Sequence, residues 1–202
     1  MTTIILVRHG QTEWNIVERF RGRVDIPLND KGLQQAKITG ERIKKNWKPV
    51  AIYSSPLMRA IQTAQQIAQP LHLEIKPAEG LIDINYGKWQ GLTPQTARTL
   101  WPELVVKWYD HPEMVQIPDG ESLKQVRDRA MAALIEICKS HADEQIVLVS
   151  HTVINRLILL GVLDLGNERF WHLHQDPCAI NLIELSEKGF TLVFMNDTCH
   201  LL

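Results

Sequence analysis

Residues 2–10 read TTIILVRHG, an apolar, β-branched run that stops abruptly at Arg8 and His9. A run this short with no polar alternation reads as a strand buried on both faces, the kind that parallel sheets use. Two more runs share its make-up: PVAIY at 49–53, ahead of Ser54, and QIVLV at 145–149, ahead of Ser150. Helical patterns follow the first two. LNDKGLQQAKITGERIKKN (28–46) offers Asn29 or Asp30 as N-cap, and PLMRAIQTAQQIAQ (56–69) opens on Pro56. After the third run, TVINRLILLG continues as a helix ending near Gly161. Strands alternating with helices predict an α/β fold: a three-layer α/β/α sandwich with a mostly parallel sheet and helices on both faces.

Working outward, ESLKQVRDRAMAALIEICKSHA (121–142) reads as a long amphipathic helix ahead of the third strand. AINLIELSEKGFTLVFMN (179–196) reads as two strands joined by a turn at Lys188 and Gly189, a mixed edge of the sheet. The stretch from about 80 to 120 breaks the alternation, with Tyr86, Trp89, Trp101, Trp108 and several prolines between short helical pieces. It reads as an excursion over one face of the sheet, of the sort that forms lids and binding loops. No repeat, linker or low-complexity tract divides residues 1–202, so a single domain is expected.

Lys and Arg number 22 against 23 Asp and Glu, a formal net charge of −1, and 45% of residues are hydrophobic. That composition lies outside the disordered and membrane classes, and it carries no basic footprint for nucleic acid or for a membrane surface. MTTIILVRHG lacks the long apolar run of a signal peptide, so the mature chain is expected to start there. VINRLILLGVLDLG (153–166) is interrupted by Asn155, Arg156 and Asp164 and is too short and polar to span a bilayer. Cys138, Cys178 and Cys199 are scattered without metal-site spacing, which argues against a disulfide framework and fits a reducing cytoplasm.

In open α/β sheets ligands bind beyond the carboxyl ends of the strands. All three runs end in reactive or cationic groups: Arg8, His9 and Gly10 after the first; Ser54, Ser55 and Arg59 after the second; Ser150, His151 and Thr152 after the third. Guanidinium forks match phosphate or carboxylate oxygens, and a helix N-terminus adds donors, so these ends suit a tetrahedral anion. A histidine inside such a clamp acts as nucleophile or as general acid/base. A carboxylic acid at the start of the excursion would protonate a leaving oxygen; Asp83 is the first candidate, although spacing alone does not choose it over Glu79 or Glu121.

At LVRHGQTEWN (6–15) the chain resembles the histidine phosphatase superfamily, the group that includes cofactor-dependent phosphoglycerate mutase. Arg8 and His9 stand at the family's Arg-His signature, and Gly10, Thr12 and Asn15 continue it. RGRVDIPLNDKGLQQA (21–36), YSSPLMRAIQTA with Arg59, LIDINYGKWQG with Asp83, PDGES (118–122) and VLVSHT with His151 follow in the family's order. The resemblance implies that His9 is the phosphorylated nucleophile, that Arg8, Arg59 and His151 hold the phosphoryl group, that Asn15 lines the pocket, and that no metal or other cofactor takes part. The chain departs from the family where a glutamate usually stands four residues before the glycine of the acid loop, a position held here by Asp83. Arg21 stands where glutamine is common, and Pro177 where asparagine is common.

The short chain and compact middle are similar to the phosphatase branch, and the ending NDTCHLL (196–202) resembles metal-independent phosphoserine phosphatases. The implied activity is a phosphomonoesterase on a small phosphorylated metabolite, with L-phosphoserine as first substrate. α-Ribazole 5′-phosphate phosphatase, phosphoglycerate mutase and a non-catalytic phospholigand binder are the alternatives. Thr12, Asn15, Arg21, Gly22, Tyr86, Thr152 and His200 are the expected substrate-binding residues, with Trp89 and His111 as further candidates for the leaving-group side; Arg21 is expected to meet a carboxylate. Trp14, Trp47, Trp101 and Trp171 are expected to pack, Glu121 and Ser122 to cap the long helix, and His172 and His174 to face outward on a strand or loop. A homodimer through FWHLH (170–174) or the last strands is a further expectation.

Overall fold

A computed structural model describes residues 1–202, the side chain of residue 16 excepted. The strands β1 (Thr2–Arg8), β2 (Ala51–Ser54), β3 (Ile75–Pro77), β4 (Gln145–Ser150), β5 (Ile180–Ser186) and β6 (Gly189–Asp197) form one six-stranded sheet in the order β3-β2-β4-β1-β5-β6. The first four are mutually parallel; β5 and β6 run antiparallel at one edge. The helices are α1 (Glu13–Ile16), α2 (Asp30–Asn46), α3 (Met58–Leu71), α4 (Pro94–Leu100), α5 (Pro102–Asp110), α6 (Leu123–Lys139) and α7 (Thr152–Val162).

The two faces of β1 explain its unbroken apolar run. Ile5 and Val7 pack with Ile52, Val147 and Val149 under α2 and α3, whereas Ile4 and Leu6 pack with Ile146 and Leu148 under α6 and α7. Both faces are covered, and the three-layer architecture read from the sequence is the one observed. Asn29 caps α2, accepting from the Gly32 N–H at 2.9 Å, and Ser122 opens α6 in a capping box with Gln125. Within 79–120, α4 and α5 alternate with short 3₁₀ turns around buried Trp89 and Trp108. Among the described residues no helix is long and apolar enough to cross a membrane.

Three differences from the sequence reading are local. β3 is absent from that reading, because three residues ending in Pro77 give too little pattern, and proline is tolerated at this edge. α3 starts at Met58, since Pro56 sits in the bend leaving β2. The β5–β6 turn uses Glu187 and Lys188, one residue early, with Gly189 at φ +103° in a conformation that L side chains rarely adopt.

One backbone contact seats the loop after β1. Gly10 and Gln11 lie directly on the first turn of α2: a Cβ on Gly32 would stand 2.1 Å from the Gln11 carbonyl oxygen, and one on Gly10 would stand 2.6 Å from the Gly32 oxygen. Backbone, not a flexible side chain, blocks both positions. Gly32→Ala should therefore cost about 1–3 kcal/mol by overpacking, a fall in Tm of about 2–12 °C for a domain of this size. Calorimetry tests this, and an unchanged Tm would show that the loop can retreat freely.

Candidate active site

The β1–β4 register pairs Arg8 with Ser150, so the residues that follow, His9 and His151, emerge side by side. Their ring centroids are 5.2 Å apart, and both rings are buried. His9 Nδ1 lies 2.7 Å from the Gly10 carbonyl, which can only accept, so Nδ1 carries the proton and Nε2 keeps the lone pair. His151 Nε2 lies 2.7 Å from the Ser55 hydroxyl, and its Nδ1 lies 3.6 Å from Asp83 Oδ2.

Arg59, in the first turn of α3, is fully buried. Its guanidinium donates to the carbonyls of Gly22 (2.8 Å) and Val24 (3.0 Å) and to Asp83 Oδ2 (3.0 Å). The other Asp83 oxygen accepts from the Ile84 N–H at 3.0 Å. The acid loop is itself held from behind: Arg129 donates to the carbonyls of Gly80, Ile82 and Asp83, and Glu121 accepts from the Asn85 N–H at 2.8 Å. Arg8 donates to the carbonyl of Gln175.

These groups surround a cavity of about 390 Å³ with cationic and aromatic walls. Burial, reinforced by Arg21 and Arg156, pushes Arg8 down to about 9. Burial and then the Arg59 charge hold both His9 and His151 well below the ordinary imidazole value. Both rings are therefore neutral near pH 7, and His9 Nε2 keeps its lone pair. Arg8 Nε, Arg21 Nη1, Arg59 Nε and Arg156 Nε are buried donors without a hydrogen-bond partner among the described residues, and His151 Nδ1 is a buried ring nitrogen likewise without one. Each such group costs about 1–3 kcal/mol, more when charged. A tetrahedral oxyanion offers acceptors to such a set.

Most of the expected site residues meet here. Arg8, His9 and Asp83 line the cavity, with Asn15, Arg21, Gly22, Tyr86 and Thr152; Arg59 and His151 are fully buried behind the wall. Thr12 does not line it: the side chain is fully buried, and its N–H and hydroxyl both hold Asn15 Oδ1 at 2.9 Å. His200 is elsewhere, a correction to the sequence reading. The Arg42–Asp197 ion pair ties the C-terminal turn to α2, and His200 contacts Thr39 Oγ1 at 2.9 Å and Arg42 at 3.0 Å. Trp89 is fully buried in the aromatic cluster, and His111 is exposed beside Glu113. Ser122 caps α6 as expected, whereas Glu121 clamps the acid loop through Arg129.

Arg156, Gln175, Tyr109, Phe170 and His174 line the cavity without having been anticipated, and Trp171, expected only to pack, lines it too. Three residues of the FWHLH segment, Phe170, Trp171 and His174, thus line the cavity. Arg156 follows Thr152 by one helical turn, a spacing that could have suggested it. Gln175 holds Arg8 through its backbone carbonyl, which no side-chain pattern reveals.

A family profile for the histidine phosphatase superfamily (branch 1) matches residues 4–198. Phosphoserine phosphatase 1 of Hydrogenobacter thermophilus is 35% identical over 201 residues, covering 100% of this chain and 95% of that protein. The metal-independent phosphoserine phosphatase of Arabidopsis thaliana is 33% identical, covering 100% of this chain and 84% of its own length. Among solved structures, a mutant phosphoserine phosphatase of Entamoeba histolytica in complex with phosphoserine superposes with a TM-score of 0.85 at 31% identity, covering 100% of both chains.

The imidazoles make stability depend on pH. Both titrate below the unfolded value of 6.5 when folded, so below about 6.5 the unfolded chain binds protons that the fold excludes. Their contribution is intact above that value and is lost as pH falls through the window beneath it. Urea unfolding should show a declining free energy from about pH 7 to about pH 5, with a shallower decline in His151→Gln. Equal slopes in the two proteins would contradict this.

Proposed function

The chain belongs to branch 1 of the histidine phosphatase superfamily, and from that premise we propose a metal-independent phosphomonoesterase that works through a phosphohistidine at His9 and acts on L-phosphoserine. The observation that carries the reading is the neutral His9 ring, its Nε2 lone pair unused, set among the Arg8, Arg59 and His151 donors.

In this mechanism His9 Nε2 attacks phosphorus and the ester P–O bond breaks. Asp83, a carboxylate paired with Arg59 in the free protein, takes the proton of the bound phosphoryl monoanion and passes it to the leaving oxygen. Asp83, again a carboxylate, then takes a proton from water as the water oxygen attacks the phosphohistidine, and inorganic phosphate leaves with His9 restored. Arg8 and Arg59 stabilise charge on the equatorial oxygens. With the Ser55 hydroxyl donating to His151 Nε2, His151 Nδ1–H is a neutral donor to the same oxygens. Arg59 also links the acid to the clamp: it already holds Asp83 Oδ2, and a phosphoryl oxygen taking its donors releases that oxygen for proton transfer. The shorter Asp83 side chain is served by the Arg129 and Glu121 clamp, which fixes the backbone around it.

Support for phosphoserine comes from the two curated relatives, both phosphoserine phosphatases, and from the phosphoserine complex of the Entamoeba protein. Arg21, Asn15, Gly22, Tyr86 and Thr152 form the substrate side of the cavity in this reading.

Phosphate release from L-phosphoserine, 3-phosphoglycerate and α-ribazole 5′-phosphate in excess EDTA tests the proposal. The expected result is EDTA-insensitive turnover, fastest on L-phosphoserine and abolished in His9→Ala. Turnover surviving in His9→Ala, or lost with EDTA, would refute the mechanism; a faster rate on another ester would reassign the substrate. Asp83→Asn should lower kcat on L-phosphoserine by about 10² to 10⁴-fold. The loss on p-nitrophenyl phosphate should be much smaller, because p-nitrophenolate departs without a proton; equal losses would remove Asp83 from the acid role.

A further inference from the structure

Besides Arg8, three arginines line the cavity, and Arg19 among them is tied to the Gly91 carbonyl at 2.8 Å, which leaves Arg21 and Arg156. Arg8 and Arg59 are tied to backbone carbonyls and to Asp83, but Arg21 and Arg156 take part in none of the ion pairs among the described residues, and Arg21 Nη1 and Arg156 Nε are buried without a hydrogen-bond partner. Arg156 is also held in a particular pose. Its guanidinium carbon lies 5.0 Å from the Phe170 ring centroid and 5.1 Å from that of Trp171. Trp171 is fixed in turn, its indole N–H donating to the Trp108 carbonyl at 2.7 Å and its ring stacked on Tyr109 at 5.2 Å.

Stacking on aromatic faces sets the plane of a guanidinium and leaves its N–H edge free for an in-plane, two-point contact. A planar carboxylate is the anion that such an edge fits best. Arg156 lies one turn into α7 from Thr152, on the helix that begins beside His151, and lines the cavity with Thr152. Arg21 and Arg156 line the same cavity as Tyr86.

We propose that Arg156, assisted by Arg21, forms a second anion subsite that takes a carboxylate on the leaving group, so that the enzyme selects phosphate monoesters of carboxylated alcohols. This rests on the phosphomonoesterase reading and names the residue that gives it specificity. Arg156 acts by direct contact with the substrate, and its aromatic platform holds it in place.

L-phosphoserine and phosphoethanolamine differ only by the carboxylate, and their comparison isolates the subsite. Wild type should prefer L-phosphoserine in kcat/KM, and Arg156→Met, which keeps an apolar stem against Phe170 and Trp171, should reduce that preference by about tenfold or more, chiefly through KM. Arg156→Lys should restore part of it. A preference unchanged in Arg156→Met would overturn the proposal, as would an equal loss on both esters, the mark of a merely structural role. Calorimetric binding of the same two esters to His9→Ala, with and without Arg156→Met, gives the same comparison without turnover. A carboxylate-dependent affinity that follows Arg156, with wild type hydrolysing neither ester, would uphold the subsite and refute the catalytic reading alone.

Discussion

The site depends on guanidinium groups that are buried and yet not neutralised. Arg59 is fully buried and Arg8 nearly so, and most of their internal partners are backbone carbonyls: Gln175 for Arg8, Gly22 and Val24 for Arg59. Burying a charge without hydrogen bonds is prohibitively costly, whereas pairing it with carboxylates would cancel the field. Neutral dipoles meet the first demand and leave the field standing. Among the described residues Asp83 is the single carboxylate joined to this set by a salt bridge, and it is the group to which the proposed mechanism gives the proton transfer.

The same field prepares His9 for the role proposed for it. An imidazole in water is partly protonated near neutrality and then has no lone pair at Nε2. Burial and the neighbouring arginines keep His9 uncharged, while the Gly10 carbonyl chooses which nitrogen is free. The scaffold supplies the placement: adjacent parallel strands in register bring His9 beside His151, and the close contact of Gly10 and Gln11 with Gly32 holds the loop that follows. Asp83, the proposed acid, sits on a loop fixed by Arg129 and Glu121.

What the sequence made legible was local and periodic. Three apolar strands, their cationic ends and the helices after them could be read directly, because each signal lies within one element. Asp83 could not be separated from Glu79 and Glu121 by spacing; in space, Arg59 contacts Asp83, while Glu121 is taken by Arg129. β3 was too short to show a pattern. His200 was placed at the site by the family resemblance of its segment, yet the Arg42–Asp197 pair carries that segment to α2. Arg156 went unnoticed because its pose depends on Phe170 and Trp171, which come from a separate segment after α7. Gln175 acts through a main-chain carbonyl, and so has no side-chain signature.

The central claim is that an uncharged His9 accepts the phosphoryl group at Nε2. The most direct test is to mix the protein with L-phosphoserine, quench in alkali, where a phosphoramidate survives, and locate the phosphoryl group by peptide mass spectrometry. The account predicts a phosphohistidine at His9, formed within one turnover and absent from His151. Turnover with His9 unmodified, or a phosphoryl group on another side chain, would contradict it.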